Sequence, residues 1–338
     1  MFPICKRFFR RILFLGIQFL KSRKWIAKTL YSLQNAKDFS DLQEHEIMVA
    51  DTIRVDSYHQ AIKRYVKPGD IVLDLGTGTG ILSLFAAQQN PEKIYAIDHS
   101  EFIGVAERIA TLNSIDKIDF IKESSFSFTP TEKVDVILHE QVGDDLFEED
   151  MLENILDLKK RILKKDGIIL PGKFELFIEP VSLKESYRVP FIWEQHLHGI
   201  DFRYLRNDPI IEPYKLKGYA CTNIPPHSIN ALLCNPEPIL AFDMNEKDFQ
   251  GDFPTSLTQT KKVVQRGRMD GLCLYFRIVF DDEIAIDTLP METATHWKNR
   301  LFRTESRQVE PGQDIPFTLF MKNLAQPESW SIALHNTG

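Results

Sequence analysis

Two glutamates nine residues apart, Glu140 and Glu149, lie in a loop that leaves the apolar run Val134–Leu138. That run reads as a buried strand, and an open α/β sheet binds its ligands outside the carboxyl ends of its strands. Two carboxylates fixed there attract a cation. The cation whose planar fork of donors best matches two planar carboxylates is a guanidinium. Asp144, Asp145, Glu148 and Asp150 share the loop, so an acidic surface loop capping the next helix is the rival reading.

The elements that must position these acids alternate. Ile71–Leu75 is an apolar strand, Gly76–Gly80 a loop, and Ile81–Gln89 carries helical apolar spacing. Lys93–Ile97 is a second strand ending in Asp98, followed by a helix over Glu101–Asn113. Ile118–Ile121, Val134–Leu138 and Gly167–Leu170 read as further strands, with an amphipathic helix over Met151–Leu163. Short strands alternating with helices specify an α/β fold with a parallel, doubly wound Rossmann-like sheet. Beyond Pro171 the texture changes. Phe174–Val181, Leu272–Phe280, Glu283–Asp287, Phe317–Met321 and Trp330–Leu334 alternate as strands between Pro- and Gly-containing turns. This half reads as an antiparallel β-barrel-like domain. Pro190–Pro213 lacks that alternation and reads as a protruding, aromatic-studded insertion with Trp193 and Phe202 expected at its surface.

The loop Asp74-Leu-Gly76-Thr-Gly78-Thr-Gly80 joins the first strand to its helix. Glycines there let the backbone turn sharply and approach a ligand closely. The dinucleotide fingerprint requires a third glycine at position 81, which is Ile81. The tighter Gly-x-Gly-x-Gly spacing is that of S-adenosylmethionine methyltransferases, whose cofactor has no phosphate. Asp98 closes the second strand about twenty residues on, where an acid accepts hydrogen bonds from ribose hydroxyls.

At 338 residues with 43% apolar and 26% charged content, the chain fits a globular protein of two domains. Its four cysteines form no Cys-x-x-Cys pair, which indicates no metal site and a reducing, cytoplasmic setting. Residues 1–37 hold nine Lys or Arg and no acid, leaving 32 basic against 48 acidic residues in the remainder. A body that acidic repels nucleic acid and attracts basic substrates. The leader mixes those cations with Phe8, Phe9, Ile12, Leu13 and Phe14. It is too short in its apolar run to span a membrane. It suits a basic amphipathic helix, with residues 1–30 either touching a membrane surface or partner or packing on the body.

With these motifs in order, the chain resembles the protein arginine N-methyltransferase family from about residue 39 to about residue 321. The segment from His45 through Met48 and Asp51 to Arg54 resembles the family's cofactor-covering segment. The glycine loop with Asp98 is the second likeness, and Glu140 to Glu149 with Gly143, Met151 and Leu152 is the third. Thr295-His296-Trp297 is identical to the family's Thr-His-Trp loop.

The resemblance implies an S-adenosylmethionine-dependent enzyme that methylates arginine in a protein or peptide. It assigns Glu140 and Glu149 to the guanidinium clamp and His296 with Asp51 to a proton relay. His45, Met48, Arg54, Asp74, Gly76, Gly78, Gly80, Asp98, Glu123, Ser125 and Met151 are its cofactor-binding candidates. Trp297, Gln141 and Asp144 are its substrate-binding candidates. Met48 and Met151 match methionines of the enzymes that make asymmetric dimethylarginine. The implied domains are a basic segment at 1–37, a cofactor-binding domain at 38–171 and a β-rich domain at 172–338. Residues 190–213 stand where the family's dimerisation arm is inserted, so a homodimer is expected, with the enzyme cytoplasmic or peripherally on a membrane.

The chain departs from the family at several points. Asp38, Phe39 and Asp41 stand where tyrosines are usual, and Gln141, Val142 and Asp144 replace the residues that shape the substrate channel. Glu123-Ser-Ser-Phe126 occupies the adenine-reading region. The alternatives are therefore a methyltransferase of another small amine or guanidino compound, or a silent dimeric scaffold.

Overall fold

A computed structural model describes residues 42–212, 221–291 and 295–335. The basic leader and Asp38, Phe39 and Asp41 lie outside the described residues. The chain opens with helices α1 (Leu42–Ala50) and α2 (Thr52–Tyr65). The parallel unit follows: β1 (Ile71–Leu75), α3 (Ile81–Ala87), β2 (Lys93–Asp98), α4 (Ile103–Leu112), β3 (Ile118–Lys122), β4 (Val134–His139), α5 (Met151–Arg161) and β5 (Leu163–Leu170). Its five strands lie in the order β3-β2-β1-β4-β5, all parallel. The order reverses between β1 and β4, so the glycine loop after β1 and the glutamate loop after β4 flank one crevice.

β1 is buried at every position, as a central strand covered on both faces must be. β5 begins four residues earlier than its apolar run suggests, because Lys164, Lys165 and Asp166 occupy an edge strand whose outer side faces water.

The second half is antiparallel. A seven-stranded sheet is built on β6 (Lys173–Leu183), β13 (Gly267–Val279) and β15 (Asn299–Val309), with β9 (Cys221–Ile224), β10 (Ile229–Leu232), β11 (Pro238–Asp243) and β14 (Ala285–Asp287) around them. A three-stranded sheet joins β12 (Ser256–Lys262), β16 (Asp314–Phe320) and β17 (Ser331–Leu334). One apolar core runs through both halves. Phe147 of the glutamate loop enters it, stacking on Phe242 at 5.6 Å and meeting Trp330 at 6.0 Å. The loop is thus plugged into the β-domain instead of lying free.

The insertion forms short 3-10 turns and a small hairpin of β7 (His196–Leu197) and β8 (Ile200–Asp201). Trp193, expected at its surface, is buried. Its ring stacks on Phe191 at 4.8 Å and its indole N–H donates to Glu305 at 2.9 Å. Ile192, Leu197, Ile200, Tyr204 and Ile210 are large apolar side chains that the insertion does expose. Among the described residues no helix is long and apolar enough to cross a membrane.

Candidate active site

Asp74 organises the floor of the crevice. Its Oδ2 accepts hydrogen bonds from the Thr77 hydroxyl at 2.6 Å, the Ser83 amide at 3.0 Å and the Ser83 hydroxyl at 2.6 Å. Burial holds its pKa above the ordinary value in spite of these donors. Gly76, Gly78 and Gly80 all adopt positive φ, 71°, 51° and 82°. A Cβ on Gly78 would sit 3.1 Å from the His45 ring, and one on Gly80 3.0 Å from Ala106. His45 lies over this loop and packs against Phe102, with ring centroids 3.7 Å apart and the rings tilted by 31°. Asp98 accepts from the Gly78 amide at 2.9 Å and the Ser100 amide at 2.7 Å. Carboxylate oxygens have further lone pairs, so Asp98 keeps acceptor capacity for hydroxyl groups.

Above the loop lies a cavity of about 280 Å³. His45, Met48, Arg54, Gly76, Gly78, Asp98, Glu123, Ser125, Gln141 and both glutamates, Glu140 and Glu149, line it. Arg54 extends from α2 into the wall and pairs with Glu140 at 3.0 Å, while its Nη1 donates to the Met48 carbonyl at 2.7 Å. Its Nε is buried without a partner. Burial works against the Arg54 charge, but Glu140 outweighs it and the pKa rises. The family resemblance makes Arg54 a cofactor-binding candidate. The structure ties it first to Glu140, and the unpartnered Nε is the donor that remains for an anionic group.

Glu149 differs from Glu140. Burial first, then the negative charges of Glu140 and Glu148, push its pKa well above the usual carboxylate range. Glu148 is itself raised to about 7 by burial and by Asp145. Glu149 and Asp150 both have positive φ, 64° and 52°, a conformation that non-glycine residues seldom hold without support.

Asp51 and His296 meet across 245 residues of sequence. Asp51 Oδ2 accepts from the His296 amide at 2.9 Å and lies 2.8 Å from its Nδ1, while Oδ1 caps α2 through the Arg54 amide at 3.0 Å. Burial raises the Asp51 pKa, but the His296 side-chain bond and the two amide bonds outweigh it, and the net shift is downward. The pair stands behind Arg54 and is not part of the cavity wall.

Five candidates hold other positions. Asp74 and Gly80 shape the glycine loop from below without reaching the cavity, and Met151 is fully buried in the core at the start of α5. Trp297, expected to touch substrate, is 2% exposed and donates to the Val142 carbonyl at 2.7 Å. Asp144 turns away from the cavity and accepts from the Lys298 amide at 2.9 Å and from Asn223 at 3.3 Å. Both residues therefore tie the glutamate loop to the β-domain.

Sequence reading missed the strongest of these ties. Arg300 forks onto Asp145, with Nε–Oδ1 at 2.6 Å and a second bond from Nη2 to Oδ2, and both side chains are buried. Asp145 was hidden among five other acids, and nothing in one sequence links it to Arg300. Tyr58 was also missed: its hydroxyl donates to the His139 carbonyl at 3.0 Å, fixing the end of β4 just before Glu140. The His139 ring, neutral because burial lowers its pKa to about 4, donates from Nε2 to the Pro171 carbonyl at 2.8 Å.

Comparison with known proteins agrees with this geometry. A profile described as ribosomal protein L11 methyltransferase (PrmA) matches residues 58–171, and one described as the arginine methyltransferase oligomerization subdomain matches residues 173–335. Protein arginine N-methyltransferase 6 of Xenopus laevis is 32% identical over 300 residues, covering 82% of this chain and 83% of that protein. The chain belongs to the protein arginine N-methyltransferase family. Protein arginine N-methyltransferase 1 of Dictyostelium discoideum is 29% identical over 294 residues, 83% of this chain and 82% of that protein. Among solved structures, the Trypanosoma brucei PRMT1 enzyme–prozyme heterotetrameric complex with AdoHcy superposes with a TM-score of 0.75 at 25% identity, covering 89% of this chain and 95% of that one. Arabidopsis thaliana protein arginine methyltransferase 10 shares the fold, with a TM-score of 0.69 at 23% identity over 84% of this chain and 89% of that one.

Proposed function

We propose that the protein transfers methyl groups from S-adenosylmethionine to a guanidino nitrogen of arginine in a protein or peptide. One observation carries the reading. Two carboxylates in unlike surroundings, one paired with Arg54 and one whose pKa is raised by burial and like charge, face one cavity whose floor is the glycine loop and Asp98. The residues suit the cofactor: positive-φ glycines allow close approach, Asp98 keeps free lone pairs, and the buried Arg54 Nε offers an uncommitted donor. When bound, S-adenosylmethionine supplies an electrophilic methyl carbon.

The chain's own residues do the rest. A guanidinium stays protonated at physiological pH and its nitrogens are poor nucleophiles. Glu140 and Glu149 hold it and draw positive charge toward the nitrogens they touch. The remaining terminal nitrogen regains lone-pair character and would face the methyl carbon of a bound cofactor, an alignment that removes much of the entropic barrier. As a new N–C bond formed and the methyl–sulfur bond broke, that nitrogen would shed a proton; His296, its ring oriented by Asp51, would take it through a relay, because the pair stands outside the cavity wall.

The exposed Leu197, Ile200, Tyr204 and Ile210 of the insertion suit a contact with a second copy. Match of the β-rich half to an oligomerization subdomain supports that reading.

The test is an assay with labelled S-adenosylmethionine and an Arg/Gly-rich peptide, followed by mass analysis of the arginines. Glu149→Gln is expected to bind cofactor like the wild type and to transfer no methyl group. Undiminished turnover in that variant, or label found only in small molecules, sinks the proposal.

A further inference from the structure

Asn154 lies one turn into α5, is 9% exposed, and reaches the cavity wall between the two arms of the glutamate loop. Its Nδ2 donates to the Glu149 carbonyl at 3.2 Å and to Gln141 Oε1 at 3.3 Å. Its own amide donates to the Asp150 carbonyl at 3.0 Å. Gln141 directly follows Glu140. One carboxamide therefore joins the residue after the first glutamate to the backbone of the second, closing the neck of the loop that separates them.

Such a tie has physical work to do. Glu149 and Asp150 are consecutive left-handed residues without glycine, each unfavourable by about 1 kcal/mol or more unless the surroundings hold them. The Asn154 bond to the Glu149 carbonyl fixes the peptide that this conformation rotates out of helical register. On the other side of the carboxamide, Oδ1 lies 3.5 Å from the Ser125 hydroxyl, on the cofactor side of the same cavity.

We infer that Asn154 is a positioning residue that sets the gap between Glu140 and Glu149 by tying Gln141 to the Glu149 backbone. The inference rests on the methyl transfer proposed above. Asn154 touches the supports of both acids, so losing it lets the two carboxylates drift independently while their charges remain. A misplacement of about 1 Å at a reacting centre lowers turnover by as much as 100-fold.

The test uses the full chain with S-adenosylmethionine and an Arg/Gly-rich peptide. Asn154→Ala is expected to lower kcat roughly 30-fold or more, with cofactor Kd within about threefold of the wild type. Asn154→Asp keeps the shape, removes the donating NH2 and adds a negative charge beside Glu149. It is expected to lower kcat likewise and to move the acid limb of kcat/KM to higher pH, a shift that a purely structural loss would not produce. A wild type that transfers no methyl group overturns both the function and this inference. An active wild type with either variant at full kcat, or an unmoved acid limb in Asn154→Asp, overturns the inference alone.

Discussion

Glu148 offers the sharpest test of the electrostatics. Its carboxyl is held at the Asp145 amide, 3.2 Å away, and its pKa is lifted from 4.5 to about 7 by burial and then by Asp145. The folded protein therefore keeps a proton that the unfolded chain releases between those two values. Because the native state binds the extra proton, stability falls as pH rises through that window and levels off above it. A gap from 4.5 to about 7, at 1.36 kcal/mol per pH unit, amounts to roughly 3 kcal/mol. Glu148→Gln keeps an acceptor for the Asp145 amide and cannot ionise. The variant is expected to gain on the wild type by about 3 kcal/mol between pH 4.5 and pH 8. Urea melts of both proteins at four pH values give the difference directly. Glu148 is also one of the charges that raise Glu149, so the acid limb of kcat/KM in the variant should move to lower pH. A stability difference that stays flat with pH would refute the reasoning.

Two further substitutions probe the ties that hold the loop. Arg300→Met leaves Asp145 buried without its counter-ion and should cost about 3–5 kcal/mol in urea melts, while Asp145→Leu with Arg300→Met recovers most of that loss. Asp51→Asn keeps an acceptor for the Arg54 amide but turns a donor toward the His296 amide. Its kcat should fall about 100-fold with cofactor affinity little changed, as stopped-time transfer assays and calorimetry would measure.

Local patterns made most of the parallel sheet legible. Strand, turn and helix there are specified by short windows, and the glycine loop announces itself by three residues that all prove to need positive φ. The acids of the crevice were legible for a related reason, since chain ends of adjacent parallel strands must meet at the same edge. Facing was not legible. Trp297 and Asp144 have the residue types of a substrate contact, yet both turn into the seam between the halves. Asp74 sits in the cofactor motif but acts from beneath it. The Asp145–Arg300 fork and the Asn154 tie depend on long-range geometry that leaves no periodic signal, and the Asp51–His296 pair was reached only through resemblance to a family. Trp193 was read as exposed because an insertion usually is. Its stacking on Phe191 and bond to Glu305 of β15 instead fasten the start of the insertion to the β-domain.

The two glutamates are not interchangeable halves of a clamp. Glu140 meets a permanent cation, the Arg54 guanidinium, at 3.0 Å. Glu149 is surrounded by burial and like charge alone, with no donor among the forces that act on it. The uncompensated demand for positive charge in the cavity is therefore concentrated on Glu149. An incoming guanidinium relieves that demand, lowers the Glu149 pKa and expels any proton it carries, so cation binding and ionisation of Glu149 are one coupled event. Lysine could supply the charge, but its point-like ammonium cannot span two separated carboxylates with parallel bonds, whereas a planar fork can. Selectivity for arginine then follows from the unequal surroundings of the two acids as much as from their spacing, and Arg54 sets that inequality by pairing with Glu140.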